Sequence, residues 1–375
     1  MTSPDAVSIR AVETLEEMAH LSGPWNALLA ESGSRGNVFL TWEWLYTWAK
    51  HYIERDRLWI LLVYRGENRL LGIAPFYIRK VPWHCSLALR EILFLGTGEV
   101  CSSYLDFIVA ERDKRVVLTT IFQYLHGEAR RFWDAITLAE LPAESSSLDI
   151  WDGLIQNAGK VSEITDMNVS PIIELGNRIE DFTAAIGAGE RYNLQRKQRR
   201  LALAGEHSYE RASSQPALEE ALGECVRLHQ TRWTRRGATG AFGSPRFLEF
   251  HREIVRLFSE RRWVHFDFLL FKGQKIAAAY GFTYNGRCSY YLPGFDPDFV
   301  PKTSPGILLL FRCIEQAIQE GCKQFDLLRG WADYKLAWAT NLRRSLILLH
   351  YNRTWRAAAG RFLESVKDTL KIAVR

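Results

Sequence analysis

Lys302-Thr303-Ser304-Pro305-Gly306 brings together residue types that can hold an anion. Ser304 reads as an N-cap and Pro305 as the first residue of a helix, whose leading N–H groups and positive dipole end favour bound phosphate. Gly306 would let a ligand approach the backbone closely, and Lys302 adds a cation nearby. The same tripeptide also serves as plain helix capping. A little downstream, Asp326 and Arg329 are followed by a polar loop that carries Asp333, Tyr334, Lys335 and Trp338. Carboxylate, phenol and amine in one short stretch are the types that move protons or steady a developing charge.

The elements that must position these residues are legible around them. Val264–Phe271 is an apolar, aromatic run of strand length, and Lys272-Gly273 turns it into a second strand, Lys275–Tyr284. Asn285-Gly286 suits a tight hairpin, so Cys288–Leu292, which includes Tyr291, pairs back as a third antiparallel strand. In the helix after Ser304, apolar residues recur at three- and four-residue steps from Ile307 to Ile318, and Gly321 stands where a left-handed C-cap belongs. Lys323–Arg329 then returns as a strand.

This series resembles the C-terminal half of the GNAT-like acetyltransferases associated with cellulose and exopolysaccharide synthesis (the CelD/BcsL type). More distantly it is similar to the FemAB peptidoglycan aminoacyltransferases. The likeness rests on Asn285-Gly286, Ser304-Pro305-Gly306, Asp326–Gly330 and Tyr334-Lys335 in order, with His229, Arg232-Trp233 and Arg236-Gly237 upstream. It implies an acyl-coenzyme A pyrophosphate at Ser304–Ile307 and transfer of an acyl group, most simply acetyl, to an amine or hydroxyl of a carbohydrate or amino-sugar acceptor. The resemblance further implies oxyanion donors on the backbone at Tyr291 and Leu292. Tyr291 and Tyr334 are then candidate acids, Asp326 a candidate base, and Lys335 a cation near the reacting carbonyl. Arg232, Trp233 and Arg329 become candidate acceptor contacts. Two alternatives stay open: aminoacyl transfer from aminoacyl-tRNA, and an accessory protein of polysaccharide synthesis without catalysis.

Composition bounds these readings. At 375 residues the chain can bury two cores, and 47% hydrophobic with 24% charged residues excludes disordered and fibrous classes. A net charge of +5 does not by itself imply nucleic acid, and no DNA-binding motif is present. Six cysteines without metal-ligand spacing argue against zinc and a disulfide framework and fit a reducing, cytoplasmic setting. The opening residues lack the apolar core of a signal peptide, and no apolar run reaches membrane-spanning length.

The first half repeats the order of the second. Leu58–Tyr64 and Leu70–Arg79 read as a hairpin, Leu87–Leu95 and Ser103–Ala110 as strands, Arg112–Ala129 as a helix and Phe132–Leu138 as a closing strand. Where the second half has Ser304-Pro305-Gly306, the first has Glu111-Arg112-Asp113, whose acids oppose phosphate. The first half is therefore expected to bind acceptor or to act as a scaffold. Glu13–Ser32 should be two helical pieces broken at Pro24, and Thr41 should cap a helix bearing Trp42, Trp44, Tyr46 and Trp48, read as core or as a sugar platform. Tyr104 and Asp106 could touch acceptor, or Asp106 could be satisfied by backbone N–H groups. The expected architecture is α/β (α+β): tandem GNAT-like domains, 1–175 and 176–375, each a mixed, mostly antiparallel sheet flanked by helices. Glu190–Leu201 is a basic helix that can serve a coenzyme A phosphate, an acidic substrate or RNA. Thr234–Gly243 suits a lid or a plain connector, and Arg353–Arg375 an amphipathic helix that docks on the second domain or touches a membrane surface.

Overall fold

The computed structural model describes residues 6–82, 88–235, 237–296, 298–299 and 303–358. The chain forms two compact units, Met1–Arg35 with Phe39–Asn168 and Arg344–Arg375, and Gly36–Val38 with Val169–Arg343. The C-terminal segment thus departs from a single cut near residue 175. Its described start belongs to the first unit, where Asn352 donates its backbone N–H to the Asp134 carbonyl and its side-chain amide to the carbonyls of Arg130 and Trp133. The helix expected over Arg353–Arg375, with its docking on the second domain, falls largely beyond Ala358 and so outside the described residues.

In the first unit the strands are β1 (Val7–Val12), β2 (Arg57–Leu58), β3 (Ile60–Arg65), β4 (Arg69–Ala74), β5 (Phe76–Pro82), β6 (Ala88–Phe94), β7 (Ile108–Val109) and β8 (Ala135–Pro142). Its helices are α1 (Leu15–Ala19), α2 (Ser22–Glu31), α3 (Trp42–Tyr52), α4 (Lys114–His126) and α5 (Ser146–Asn157). The break between α1 and α2 falls at His20-Leu21, and Pro24 lies in the first turn of α2, where its missing N–H costs nothing. The order β1-β3-β4-β7 makes one sheet; β2, β5 and β6 make another, where β8 joins β6 in parallel. Most of Ser103–Ala110 is irregular rather than strand, because Cys101 and Tyr104 take left-handed backbone angles.

The chain passes along β9 (Ser162–Glu174) into the second unit, with α6 (Ile179–Ala185), α7 (Ala188–Ala204), β10 (His207–Ala212), α8 (Gln215–Thr234), α9 (Pro245–Arg261), β11 (Val264–Phe271), β12 (Gln274–Tyr284), β13 (Arg287–Phe295), α10 (Pro305–Gln319), β14 (Gln324–Asp326) and α11 (Asp333–Trp338). β15 (Asn341–Tyr351) follows and pairs with β8. β11 to β13 form an antiparallel meander, whose turns at Lys272-Gly273 and Asn285-Gly286 have positive φ at both central residues, as two-residue hairpins require, and β10 pairs antiparallel with β11. β14 then lies parallel to β13, and the end of β9 pairs antiparallel with β14. The fold is mixed α/β with helix-flanked sheets, as expected. In each unit a helix lies in the crossover between two parallel strands, α4 between β6 and β8 (with β7 before it) and α10 between β13 and β14.

The apolar face of α10, with Leu309, Leu310, Cys313, Ile314 and Ala317 buried, packs into the core over β11 to β13. Burial of each large side chain there contributes about 1.5–3 kcal/mol, which fixes where the helix begins relative to β13. Gly321, at φ 76, ends the segment as predicted.

Candidate functional site

β13 and β14 separate where the site forms. Their ladder runs from Arg287↔Gln324 to Ser289↔Asp326; β14 ends there while β13 continues to Phe295. On its other side β13 carries a bulge, since Tyr280 pairs with Leu292 and Gly281 with Tyr290, leaving Tyr291 as the extra residue. A bulge twists a strand and re-aims its peptide groups, so the β13 backbone at Tyr291 leaves the β12 ladder and rejoins it at Leu292.

α10 begins next to the far end of this strand. Pro305 is at its first turn as predicted, but Ser304 takes a left-handed conformation (φ 54) and its side chain makes no capping bond. The Ser304 carbonyl instead accepts the Ile307 N–H at 2.9 Å. Gly306 has a packing reason beside the ligand one: a Cβ there would lie 3.0 Å from Phe295 Cδ1. Lys302 falls outside the described residues.

The stretch expected as a polar loop contains the short helix α11, and Lys335 on it acts as a pin. Its Nζ donates to the carbonyls of Leu327 (2.8 Å), Arg329 (3.1 Å) and Leu328 (3.4 Å). An ammonium has three N–H groups, so these acceptors occupy all of them. Burial pulls the lysine down to about 8, with Asp326 raising it and Arg232 lowering it further. The segment it holds is strained: Leu328 is left-handed (φ 54), and its N–H is fixed by Asp326 Oδ1 at 2.8 Å. Lys335 therefore grips backbone, where sequence placed it at a reacting carbonyl, and fully buried Asp326 holds the same loop. Arg329 is half-buried in this loop.

Tyr334 is half-buried against the α10 core, and burial raises its hydroxyl above the usual phenol range, while Arg232 lowers it. Tyr291 goes elsewhere. Its hydroxyl meets Nε2 of fully buried His251 at 3.2 Å, and His251 Nδ1 meets the Tyr280 hydroxyl at 3.1 Å. Burial keeps His251 well below the ordinary histidine range, so this neutral chain of three is core structure on the α9 side of the sheet. Sequence read Tyr291 as an acid without any signal for this partner, which lies forty positions away.

α8 contributes His229, Arg232 and Trp233. Gly294 allows the approach, since a Cβ there would stand 2.4 Å from the His229 backbone nitrogen. Trp233 Nε1 donates to His229 Nε2 at 2.9 Å, and burial brings His229 down to about 4. The Arg232 guanidinium lies over the Phe295 ring (4.9 Å) and the Trp233 ring (5.7 Å). Sequence did not single out Phe295, which touches both Arg232 and Gly306.

Residues 188–336 match the acetyltransferase (GNAT) domain family. The matched GNAT domain runs from the first residue of α7 into α11 and contains the opening, the α10 start and the pinned loop. Among solved structures, the chain is similar to FemX at 11% identity over 91% of this chain and 96% of that one, with a TM-score of 0.61. It is similar to a conserved protein of unknown function from Bacteroides thetaiotaomicron at 10% identity over 92% and 100%, TM-score 0.54. L-PGS from Bacillus licheniformis gives 13% identity over 90% and 94%, TM-score 0.53. At these identities the likeness is one of fold. No curated protein matches this sequence.

The remaining candidates sit in the first unit, among buried groups. Trp42 stacks on Tyr46 at 4.4 Å and donates to the Met18 carbonyl at 2.8 Å. Trp44 and Trp48 are buried, as a core reading requires. Tyr104 is buried, and Asp106 accepts from Ser145 Oγ (2.6 Å) and the Phe107 N–H (2.7 Å). Burial raises Asp106 above the usual carboxylate range and its hydrogen bonds draw it back. Neither residue offers an open polar edge to an acceptor. Around the start of α4, Asp113 is ringed by Arg65, Arg69 and Arg112 at 3.4–3.9 Å. That turn answers acids with cations of its own. Among the described residues no group of His, Cys, Asp and Glu could hold a metal ion, and no helix is long and apolar enough to cross a membrane.

In the basic helix α7, Arg191 donates to the carbonyls of Thr183, Ala184 and Ile186 and so caps α6. Its outward face keeps Tyr192, Arg196, Arg199, Arg200 and Leu203 exposed. The expected lid, Thr234–Gly243, is anchored in its described part: Gln230 Nε2 donates to the Thr239 carbonyl at 2.8 Å, and Phe242 packs edge-on against His229.

Proposed function

We propose that the GNAT domain is an acyl-coenzyme A-dependent N-acyltransferase, most simply an acetyltransferase, acting on a small-molecule or glycan amine. The observation that carries this reading is the end of the β13–β14 ladder at Ser289 and Asp326 while β13 runs on, with a bulge at Tyr291 and the α10 start at the end of the same strand. An extended thioester arm fits between parted strands, where backbone N–H groups can bind its carbonyl. Its pyrophosphate would meet the helix start at Ser304, Pro305, Gly306 and Ile307.

The acceptor amine, once neutral, attacks the thioester carbon. A C–N bond forms, the tetrahedral oxyanion is held by the backbone at Tyr291-Leu292, and the C–S bond breaks. The amine's proton leaves to solvent or base, and the thiolate of coenzyme A takes one from Tyr334. Asp326 and Lys335 are positioning residues that keep the loop around Leu328 in place. A role in polysaccharide synthesis belongs to this reading through the CelD/BcsL resemblance, the first unit as binding partner or scaffold through its acidic turn at Glu111-Arg112-Asp113, and a cytoplasmic setting through the scattered cysteines.

A second reading takes the acyl group from an aminoacyl-tRNA. It is favoured by the outward face of α7, where Arg196, Arg199 and Arg200 beside Tyr192 suit a polyanion.

Calorimetric titration with acetyl-coenzyme A tests the first reading, with Ser304→Asp as the variant. Aspartate tolerates left-handed backbone and suits a helix N-terminus, so folding is kept, while its charge opposes a diphosphate. Binding by the native protein, weakened tenfold or more in the variant, supports the reading. Absence of binding to any acyl-coenzyme A sinks it and brings aminoacyl-tRNA forward.

A further inference from the structure

The core of the second unit uses little of α7. Of its 17 residues, only Leu194 and Leu201 are buried, two turns apart and so on one side. Tyr192, Arg196, Arg199 and Leu203 recur at helical spacing, which sets them in one stripe on the opposite side. All four are exposed, Tyr192 at 61% and Leu203 at 88%. Leu203 therefore leaves in water the apolar surface that Leu201, half a turn earlier, buries.

The charge of this stripe is not cancelled from within the protein. α7 carries five basic residues against one acid, Glu190, whose carboxylate faces Trp338 Nε1 at 3.4 Å. Arg191 is spent on capping α6. Arg196 meets the Asn193 side-chain oxygen at 3.2 Å and the Tyr192 ring at 5.9 Å. Among the described residues, neither it nor Arg199 meets a carboxylate. The hairpin turn at Lys272 brings a further exposed cation to the end of the helix, since a Cβ at Gly205 would lie 3.1 Å from Lys272 Cε.

Cations flanked by bare apolar side chains fit a surface that is anionic outside and apolar beneath. Guanidinium groups bind lipid phosphates, while tyrosine and leucine settle at the boundary of headgroups and acyl chains. RNA offers phosphates and a stacking partner for Tyr192, but no apolar phase for Leu203. We propose that the outward stripe of α7, with Lys272 beside it, docks the protein on an anionic phospholipid surface. The docking is peripheral and does not depend on the acyltransferase chemistry. It gives to lipid the face that the aminoacyl-tRNA reading gives to RNA.

Co-sedimentation of the full chain with phosphatidylcholine vesicles, with and without phosphatidylglycerol, tests it. The native protein should bind the anionic vesicles, leave the neutral ones in solution, and release as salt rises. At about fivefold per basic residue near such a surface, Arg196→Glu combined with Arg199→Glu should weaken binding by about thirtyfold or more. Leu203→Ser should weaken it by about fivefold or more, through lost apolar burial. All three positions are exposed, so both variants should keep the native circular dichroism spectrum. Absence of binding to anionic vesicles, equal binding to neutral ones, or binding that either variant retains in full would overturn the proposal. Transfer RNA is titrated alongside by fluorescence anisotropy. RNA binding that is lost in the charge-reversed variant, by a protein that ignores anionic vesicles, would overturn it too and assign the stripe to nucleic acid.

Discussion

Replacing Lys335 with methionine keeps most of the side-chain volume and removes the charged head that holds Leu327, Leu328 and Arg329. Three hydrogen bonds from a charged donor, at about 1.5–3 kcal/mol each, contribute roughly 4–9 kcal/mol. Against this stands the cost of burying the charge. A fall from 10.5 to about 8 corresponds to roughly 3 kcal/mol at about 1.4 kcal/mol per unit. The hydrogen bonds outweigh the burial cost, so Lys335→Met should lower the unfolding free energy by roughly 1–6 kcal/mol near pH 7. The loop should suffer more than the fold. Leu328 is held in a left-handed conformation that costs roughly 1–2 kcal/mol. With Asp326 as its remaining described tether, the backbone beside the opening would relax, and a displacement near 1 Å there costs about a hundredfold in rate.

The pH dependence has a definite sign. Because the folded value lies below the unfolded one, the penalty of the buried charge is complete below about pH 8 and fades as pH rises towards 10.5, where the unfolded chain still binds the proton. The native protein should therefore gain up to about 3 kcal/mol relative to Lys335→Met between pH 7 and 10.5. Urea denaturation at several pH values, with thiol-release kinetics on both proteins, measures both effects. Native turnover in Lys335→Met, or parallel stability curves, would refute the pin.

Tyr291→Phe should leave turnover within a few-fold and cost about 1 kcal/mol of stability, since its hydroxyl is bonded to His251, whereas Tyr334→Phe should lower kcat by about a hundredfold or more at unchanged stability. Steady-state kinetics with thermal melts would separate them, and equal losses would undo the assignment. Gly294→Ala should unfold or aggregate the second unit, because its Cβ would meet α8 backbone 2.4 Å away; a soluble variant with native Tm would contradict this packing. Asp106→Ala should cost about 2 kcal/mol by stranding the Ser145 and Phe107 donors without changing acetyl-coenzyme A affinity. A weakened calorimetric affinity would instead return Asp106 to ligand binding.

The sequence alone determined the β11–β13 hairpins and α10 of the second unit. Two positive-φ dipeptides, Lys272-Gly273 and Asn285-Gly286, fixed the meander, and Pro305 and Gly321 fixed the two ends of α10. These are local signals: backbone angles, a missing N–H and helical periodicity act on neighbours in the chain. Tertiary structure decided what the candidate side chains do. Tyr291 lies on the strand expected of it, but a bulge and the distant His251 turn its hydroxyl into the core. Lys335 has the right type for a reacting carbonyl, yet three backbone carbonyls of its own loop fill its donors first. Gly306 is explained as much by Phe295 as by a ligand, and Asp106 by Ser145. Burial and hydrogen-bond partnership depend on residues brought together from far along the chain. Local pattern can place a polar group in the site, and only the folded arrangement decides whether protein or substrate satisfies it.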